Sequence, residues 1–137
     1  MKIYFAGSIR GGRKDINLYS KLIKHLKKYG QVLTEHVGDK NLKFMGNTIK
    51  KDEYIHERDM KWLLECDLVV AEVSTPSLGV GYEIGRAIEN GKTILCIYRP
   101  QKNKMLSAMI SGCKKVKNVR YKTIEEAKKI IDDFMSQ

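Results

Sequence analysis

The segment Pro76-Ser77-Leu78-Gly79-Val80-Gly81-Tyr82-Glu83-Ile84-Gly85-Arg86-Ala87 sets a carboxylate among glycines. It follows the apolar run Leu68-Val69-Val70-Ala71, which reads as a buried strand, and it opens a helical pattern. In open α/β sheets this edge is where ligands bind, and glycines let a ligand come close to the backbone. The plainer alternative is that Glu83 complements the positive end of a helix. A second junction of the same kind lies at the N-terminus, where the short strand Lys2-Ile3-Tyr4-Phe5-Ala6 runs into Gly7-Ser8-Ile9-Arg10-Gly11-Gly12-Arg13 and then a periodic helix. Free backbone N–H groups and the helix dipole converge at such a loop and suit an anion, to which Arg10 could add a forked contact. A simple turn is the alternative, since neither G-x-G-x-x-G nor G-x-x-x-x-G-K-[ST] is present.

Two further polar side chains stand near these junctions. Tyr4 lies in the first strand, beside the candidate anion loop. Asp59 lies among Ile55, Trp62 and Leu63 at helical spacing, on or beside the face expected to turn inward. Two carboxylates and a tyrosine suffice for glycosidic bond cleavage: one carboxylate stabilises or attacks the anomeric carbon, the other handles the leaving-group proton. Against this, Asp59 could simply pair with Arg58 or Lys61, and Tyr4 could be a core tyrosine. His25, His36 and His56 are scattered without ligand spacing, so no metal is assigned to them.

The elements that must position these residues alternate along the chain. Leu18, Leu22, Ile23 and Leu26 mark one face of the first helix, with Lys21, Lys24, Lys27 and Lys28 on the other. Val32-Leu33 is a short strand candidate, followed by a polar stretch from Gly38 to Lys50 without clear periodicity, read as a loop. A helix is expected over Asp52 to Glu65, then the strand near Leu68–Ala71, the glycine-rich helix to about Asn90 with Gly91 as its C-terminal cap, and the strand Thr93–Tyr98. Met105–Ile110 is expected as a short helix, Val116–Tyr121 as the last strand and Thr123–Met135 as a final helix with Thr123 as N-cap. Strands alternating with helices over short connections predict a single α/β domain spanning 1–137, a three-layer sandwich around a parallel five-stranded sheet covered on both faces.

Composition narrows the class. At 137 residues there is length for one core. No run of about 18 apolar residues suggests a membrane span and no leader pattern is visible, so a cytoplasmic location is expected. Cys66, Cys96 and Cys113 are odd in number and form no CxxC pair, which argues against a disulfide framework or a zinc site. The net charge of +10 rests on 20 lysines against six arginines. The lysines fall mainly on outer helix faces, and no basic strand rich in aromatics is present to stack bases, so nucleic acid is not the expected partner.

The ordered segments Tyr4–Arg13, Val32–Val37, Ile55-His56-Glu57-Arg58-Asp59, Ala71-Glu72-Val73-Ser74, Pro76–Ala87, Ile94–Pro100 and Leu106–Ile110 resemble the 2′-deoxynucleoside 5′-monophosphate N-glycosidases, the Rcl family, within the nucleoside 2-deoxyribosyltransferase superfamily. The resemblance runs from Tyr4 to about Met109; beyond it the final helix agrees only in character. It implies a flavodoxin-like, Rossmann-like sheet and hydrolysis of deoxynucleoside monophosphates to free base and 2-deoxyribose 5-phosphate. Glu83 then matches the family's nucleophile, which attacks C1′ and forms a covalent ester. Asp59 matches the carboxylate that assists departure of the base, and Tyr4 the tyrosine lining the sugar site. Gly7, Ser8, Ile9, Arg10, Gly11, Ser77 and Gly79 match the binding set for the 5′-phosphate. Ser107 matches a serine supplied by the neighbouring subunit, which implies a homodimer. No metal or organic cofactor is implied. The stretch from Gly38 to Lys50 departs most from the family, leaving base preference open.

Three alternatives are weighed against this one. A nucleoside 2-deoxyribosyltransferase would use the same nucleophile but hand the sugar to a second base; its substrates carry no phosphate, which Ser8, Arg10, Ser77 and Ser107 argue against. A nucleotide-binding module without catalysis is opposed by the intact Tyr4, Asp59 and Glu83 set. The Pro-Gly-Gly-x-Gly-Thr segment of the lysine-decarboxylase-like phosphoribohydrolases is absent.

Overall fold

Period-two alternation along the central strands decides the layering. In a computed structural model, which describes residues 1–9, 15–38 and 51–137, five parallel strands form one sheet in the order β2-β1-β3-β4-β5. They are β1 (Lys2–Ala6), β2 (Gln31–Val32), β3 (Leu68–Glu72), β4 (Thr93–Tyr98) and β5 (Lys117–Arg120). Ile3, Phe5, Leu68, Val70, Leu95 and Ile97 point to one face, where α1 (Ile16–Leu26) and α5 (Ile124–Met135) cover them with Tyr19, Leu22, Leu26, Ala127 and Ile131. Tyr4, Ala6, Val69, Ala71, Ile94 and Cys96 point to the other, under α2 (Asp52–Glu65) and α3 (Leu78–Glu89), which contribute Met60, Leu63, Val80, Ile84 and Ala87. The expected three-layer α/β sandwich is therefore present, and strands buried on both sides explain the near-continuous apolar runs.

The strand order places a reversal beside β1. The chain leaves β1 for β2 on one side and returns to β3 on the other, with Tyr4 opposite Val69 and Ala6 opposite Ala71. The carboxyl ends of β1 and β3 thus flank the topological switch point, where such sheets open a crevice.

Several boundaries differ from expectation by a residue or more. β2 ends at Val32 because Thr34 replaces further pairing: its hydroxyl accepts from the Phe5 N–H at 2.8 Å and donates to the Phe5 carbonyl at 2.6 Å. The short helix expected over Met105–Ile110 is α4 (Ala108–Ser111), since Ser107 is its N-cap and accepts from the Met109 N–H at 3.2 Å. Thr123 caps α5 as expected, accepting from Glu126 at 3.2 Å. Gly91 ends α3 with φ of +70°, a conformation that costs glycine little. Arg10, Gly11 and the stretch 39–50 lie outside the described residues.

Candidate functional site

Tyr4 reaches the switch point because alternation turns it, with Ala6, toward α2 and α3. Glu83 reaches the same place from above. It shares the inward stripe of α3 with Val80, Ile84 and Ala87, the i, i+3, i+4, i+7 set of an amphipathic helix. The Tyr4 hydroxyl donates to Glu83 Oε2, joining the first strand to the third helix. This disposes of the simpler view of Glu83 as a dipole partner: the first turn of α3 holds no acid, and the dipole's influence falls off beyond that turn.

Burial drives the protonation of the pair. Loss of water pushes the Glu83 carboxyl up to about 8; the Tyr4 hydrogen bond pulls it down, and the charge of Asp59 pushes it further up. Burial, then the charges of Glu83 and Asp59, raise the Tyr4 phenol well above its ordinary range, so Tyr4 remains a donor.

Asp59 forms the ion pair expected of the simpler reading, with Arg58. Arg58 Nε donates to Asp59 Oδ1 at 3.0 Å, and the two side chains are 19% and 21% exposed. Asp59 also lies near enough for its charge to act on Tyr4 and Glu83. Burial raises its carboxyl, while Arg58 and, more weakly, His56 oppose the rise. Arg58 is held in turn over the Trp62 ring, 4.8 Å from its centroid, and 3.3 Å from His36 Nε2. His56 Nε2 meets the Tyr82 hydroxyl at 2.8 Å, linking α2 to α3 at this rim. Among the described residues no group of His, Cys, Asp and Glu is placed to hold a metal ion.

The two turns expected to bind an anion follow β1 and β3. Gly7 and Ser8 are buried and Ile9 half-buried at the end of β1. Glycine at 7 lets the Tyr19 ring pack close: a Cβ there would stand 2.9 Å from that ring and would have to displace it. Ser8 N–H donates to the same tyrosine's hydroxyl at 3.1 Å. Beyond β3, Ser77 caps α3 and accepts from Val80 N–H at 3.3 Å. A Cβ on Gly79 would meet only Ser77 Oγ, at 3.9 Å, so space is open beside that turn. Ser77 and Ser107 line one cleft of about 840 Å³ with Ser74, Thr75 and Arg99. The cleft runs along the first turn of α3, next to the Tyr4–Glu83 pair rather than around it.

A buried polar network was not foreseen. Glu72, ending β3, accepts from the Ser74 N–H and hydroxyl, each at 2.8 Å, and from the Tyr121 hydroxyl. Burial raises its carboxyl against the pull of these donors. Arg99 N–H donates to Ser74 Oγ at 2.8 Å, the Arg99 guanidinium pairs with Asp15, and Thr75 donates to Asp15 at 2.9 Å. One signal was available: a glutamate closing a strand otherwise wholly apolar.

Fold and site together define a parallel α/β protein with a carboxylate–tyrosine pair joining β1 to α3 at the sheet's switch point. The chain belongs to the nucleoside 2-deoxyribosyltransferase family, whose model matches residues 3–135. A relative from Nematostella vectensis, provisionally named 2′-deoxynucleoside 5′-phosphate N-hydrolase 1, is 58% identical over 127 residues, covering 91% of this chain and 86% of its own. The 5-hydroxymethyl-dUMP N-hydrolase of Danio rerio is 48% identical over 136 residues, covering 98% and 95% respectively. In structure the chain resembles the Clostridium botulinum CMP N-glycosidase BcmB, with a TM-score of 0.72 over 98% of this chain and 99% of that one, at 22% identity; this likeness is one of fold.

Proposed function

We propose that this chain is a hydrolase of the N-glycosidic bond of 2′-deoxynucleoside 5′-monophosphates, releasing the base and 2-deoxyribose 5-phosphate. The observation that carries this reading is the Tyr4–Glu83 pair, with Asp59 in electrostatic reach, in a chain whose relatives are named for that reaction.

A 2-deoxyribosyl C1′ lacks an electron-withdrawing 2′-hydroxyl, so its oxocarbenium-like transition state is more accessible. Glu83, ionised and beneath C1′, stabilises that positive charge and then captures it: the C1′–N bond breaks, its electron pair leaves with the base, and a C1′–O ester forms. Asp59, whose neutral form burial favours, supplies the proton that the departing base needs. Tyr4 holds the Glu83 carboxylate in place through its hydroxyl and lines the sugar site. Water then attacks C1′: its oxygen bonds to the sugar, one proton passes to Asp59, and the C1′–O bond to Glu83 breaks, returning Glu83 as a carboxylate and Asp59 as an acid. Gly7, Ser8, Ile9, Arg10, Gly11, Ser77 and Gly79 grip the 5′-phosphate, whose remote binding energy sets the sugar over Glu83. No cofactor enters any step.

The same reading makes the protein a homodimer in which Ser107 completes a neighbour's phosphate site. Leu78, Met105 and Met109 support it, being 96%, 95% and 83% exposed around the cleft that holds Ser107. We also read the protein as cytoplasmic, consistent with three free thiols. Among the described residues no helix is long and apolar enough to cross a membrane.

The test is a panel of deoxynucleoside 5′-monophosphates, including 5-hydroxymethyl-dUMP, beside the matching nucleosides and an excess of a second free base. Release of free base from monophosphates is expected. Equal activity on nucleosides, or base exchange outrunning hydrolysis, would make the protein a transferase. Binding without release would make it a non-catalytic nucleotide-binding module.

A further inference from the structure

Asp15 is a residue type favoured for capping a helix, and it occupies the N-cap position of α1, yet its side chain makes no capping hydrogen bond. It turns instead to two distant partners. The Arg99 guanidinium at the end of β4 pairs with Oδ1, and the Thr75 hydroxyl beyond β3 donates to Oδ2 at 2.9 Å. Both carboxylate oxygens are engaged, and Asp15 is buried. Forgoing a cap lowers helix stability, so local structure does not account for the arrangement.

The network connects the two turns assigned to the phosphate. From Asp15, α1 carries Tyr19 one turn on, through the Tyr19 N–H bond to the Asp15 carbonyl at 2.9 Å. Tyr19 abuts Gly7 and receives the Ser8 N–H, so the position of Asp15 fixes that of the β1 turn. On the other side Thr75 is two residues before Ser77, and Ser74 is held by the Arg99 N–H and by Glu72. We propose that Asp15, Thr75 and Arg99 are positioning residues that lock the β1 turn and the β3–α3 turn at the separation a 5′-phosphate requires. The network thereby sets affinity for the phosphate and selectivity for monophosphates over nucleosides. This rests on the phosphate-site reading above.

Arg99 also lines the cleft with Ser77 and Ser107, and its Nε has no hydrogen-bond partner among the described residues. Direct contact between Arg99 and the phosphate is therefore the rival arrangement, and Asp15 separates the two. Being an acid, Asp15 repels a phosphate, so a loss of phosphate affinity in Asp15→Asn cannot come from a lost contact and must be transmitted through position.

The experiment compares Asp15→Asn, Thr75→Val, Arg99→Gln and Asp15→Asn/Arg99→Gln with wild type. It reads KM and kcat for a deoxynucleoside 5′-monophosphate, kcat/KM for the matching nucleoside, and the dissociation constant of inorganic phosphate. A misplacement on the ångström scale supports a roughly ten- to hundredfold loss. Each single variant should therefore raise the monophosphate KM and weaken inorganic phosphate by about tenfold, with a smaller change in kcat. The monophosphate-to-nucleoside ratio should fall in step. The double variant should be little worse than Arg99→Gln, as residues of one network are not additive. Should Arg99→Gln fail to fold, Thr75→Val and Asp15→Asn carry the same reading.

An unchanged ratio and unchanged phosphate affinity, with only a lower Tm, would reduce the network to a structural role. Loss of phosphate binding in Arg99→Gln but not in Asp15→Asn or Thr75→Val would overturn positioning in favour of direct contact. A wild type that binds inorganic phosphate but cleaves no monophosphate would defeat the functional proposal while leaving the network testable by binding alone.

Discussion

The Tyr4 hydroxyl on β1 donates to the Glu83 carboxylate on α3, residues 79 apart in the chain. The bond stabilises the charged form of Glu83, whose burial favours the neutral one. An acid kept near neutrality by two opposed effects is poised to change state when a positive charge develops beside it, as it does at C1′ during glycosidic cleavage. Tyr4 thus tunes the proposed nucleophile and does not merely fill the core.

Removing the hydroxyl should move the titration of Glu83 in a definite direction. Attack requires the Glu83 anion and departure of the base a protonated Asp59, so kcat/KM should follow a bell with pH. Its rising limb is set by ionisation of Glu83, whose carboxyl burial raises to about 8 in the free protein, and its falling limb by loss of the Asp59 proton. Tyr4→Phe deletes a bond that favours the anion, so the rising limb should shift to higher pH and activity at pH 7 should fall about ten- to hundredfold. A pH–rate profile with an unmoved limb would remove Tyr4 from this role.

Glu83→Ala should lose several orders of magnitude in rate, the scale expected for loss of a covalent nucleophile. Binding of inorganic phosphate should persist, since both turns are untouched. Denaturing mass spectrometry of the wild type during turnover should trap a deoxyribosyl phosphate adduct on Glu83. Near-normal turnover by the variant would end the assignment.

Glu83 also makes a prediction about stability. Its folded pKa, about 8, lies above the ordinary 4.5, so the folded chain holds a proton that the unfolded chain releases between those values. Stability therefore falls as pH rises across that window and levels off above it. Glu83→Gln, neutral throughout, should melt higher than wild type by an amount that grows from pH 5 to pH 8. Parallel Tm curves over that range would contradict a raised carboxyl.

Removing the phosphate from the substrate should forfeit a charge-assisted clamp worth about 2–4 kcal/mol, or about 30- to 1000-fold in kcat/KM. Ribonucleotides should be poor substrates as well, because the 2′-hydroxyl disfavours the cation and would crowd Tyr4. Steady-state kinetics on a deoxynucleoside monophosphate, its nucleoside and its ribonucleotide would check both.

Elements whose own residues mark their bounds were legible directly. β4 spans Thr93–Tyr98 and α2 spans Asp52–Glu65, as their patterns require, and Thr123 caps α5. Elements set by side chains from elsewhere were not: Thr34 stops β2, and Ser107 begins α4 later than its apolar residues suggest. Tyr4 and Glu83 each stood out by type and place, but periodicity alone does not pair a strand residue with a helix residue so distant. The resemblance brought them together, and strand alternation explains why they meet. The Asp15–Arg99 pair spans a separation of 84 residues and left only the faint trace of Glu72 ending an apolar strand.

Assembly provides the sharpest test of the shared site. If Ser107 completes the phosphate site of a neighbour, each site needs two chains, and activity should fall on dilution below the dimer dissociation constant. A C₂ dimer presents the exposed Met105–Met109 segment twice and so holds two equivalent sites. Glu83→Ala chains lack the proposed nucleophile. In Ser107→Arg chains a bulky side chain blocks the partner's pocket. Each variant alone should be inactive. Mixed and allowed to exchange, they form heterodimers in which one site carries both defects and the other carries neither. Activity should then return, approaching a quarter of the wild-type value for random pairing, since half the dimers are mixed and each has one intact site of two. If subunit exchange is demonstrated by mass spectrometry and no activity returns, Ser107 serves its own chain and the shared-site dimer is wrong.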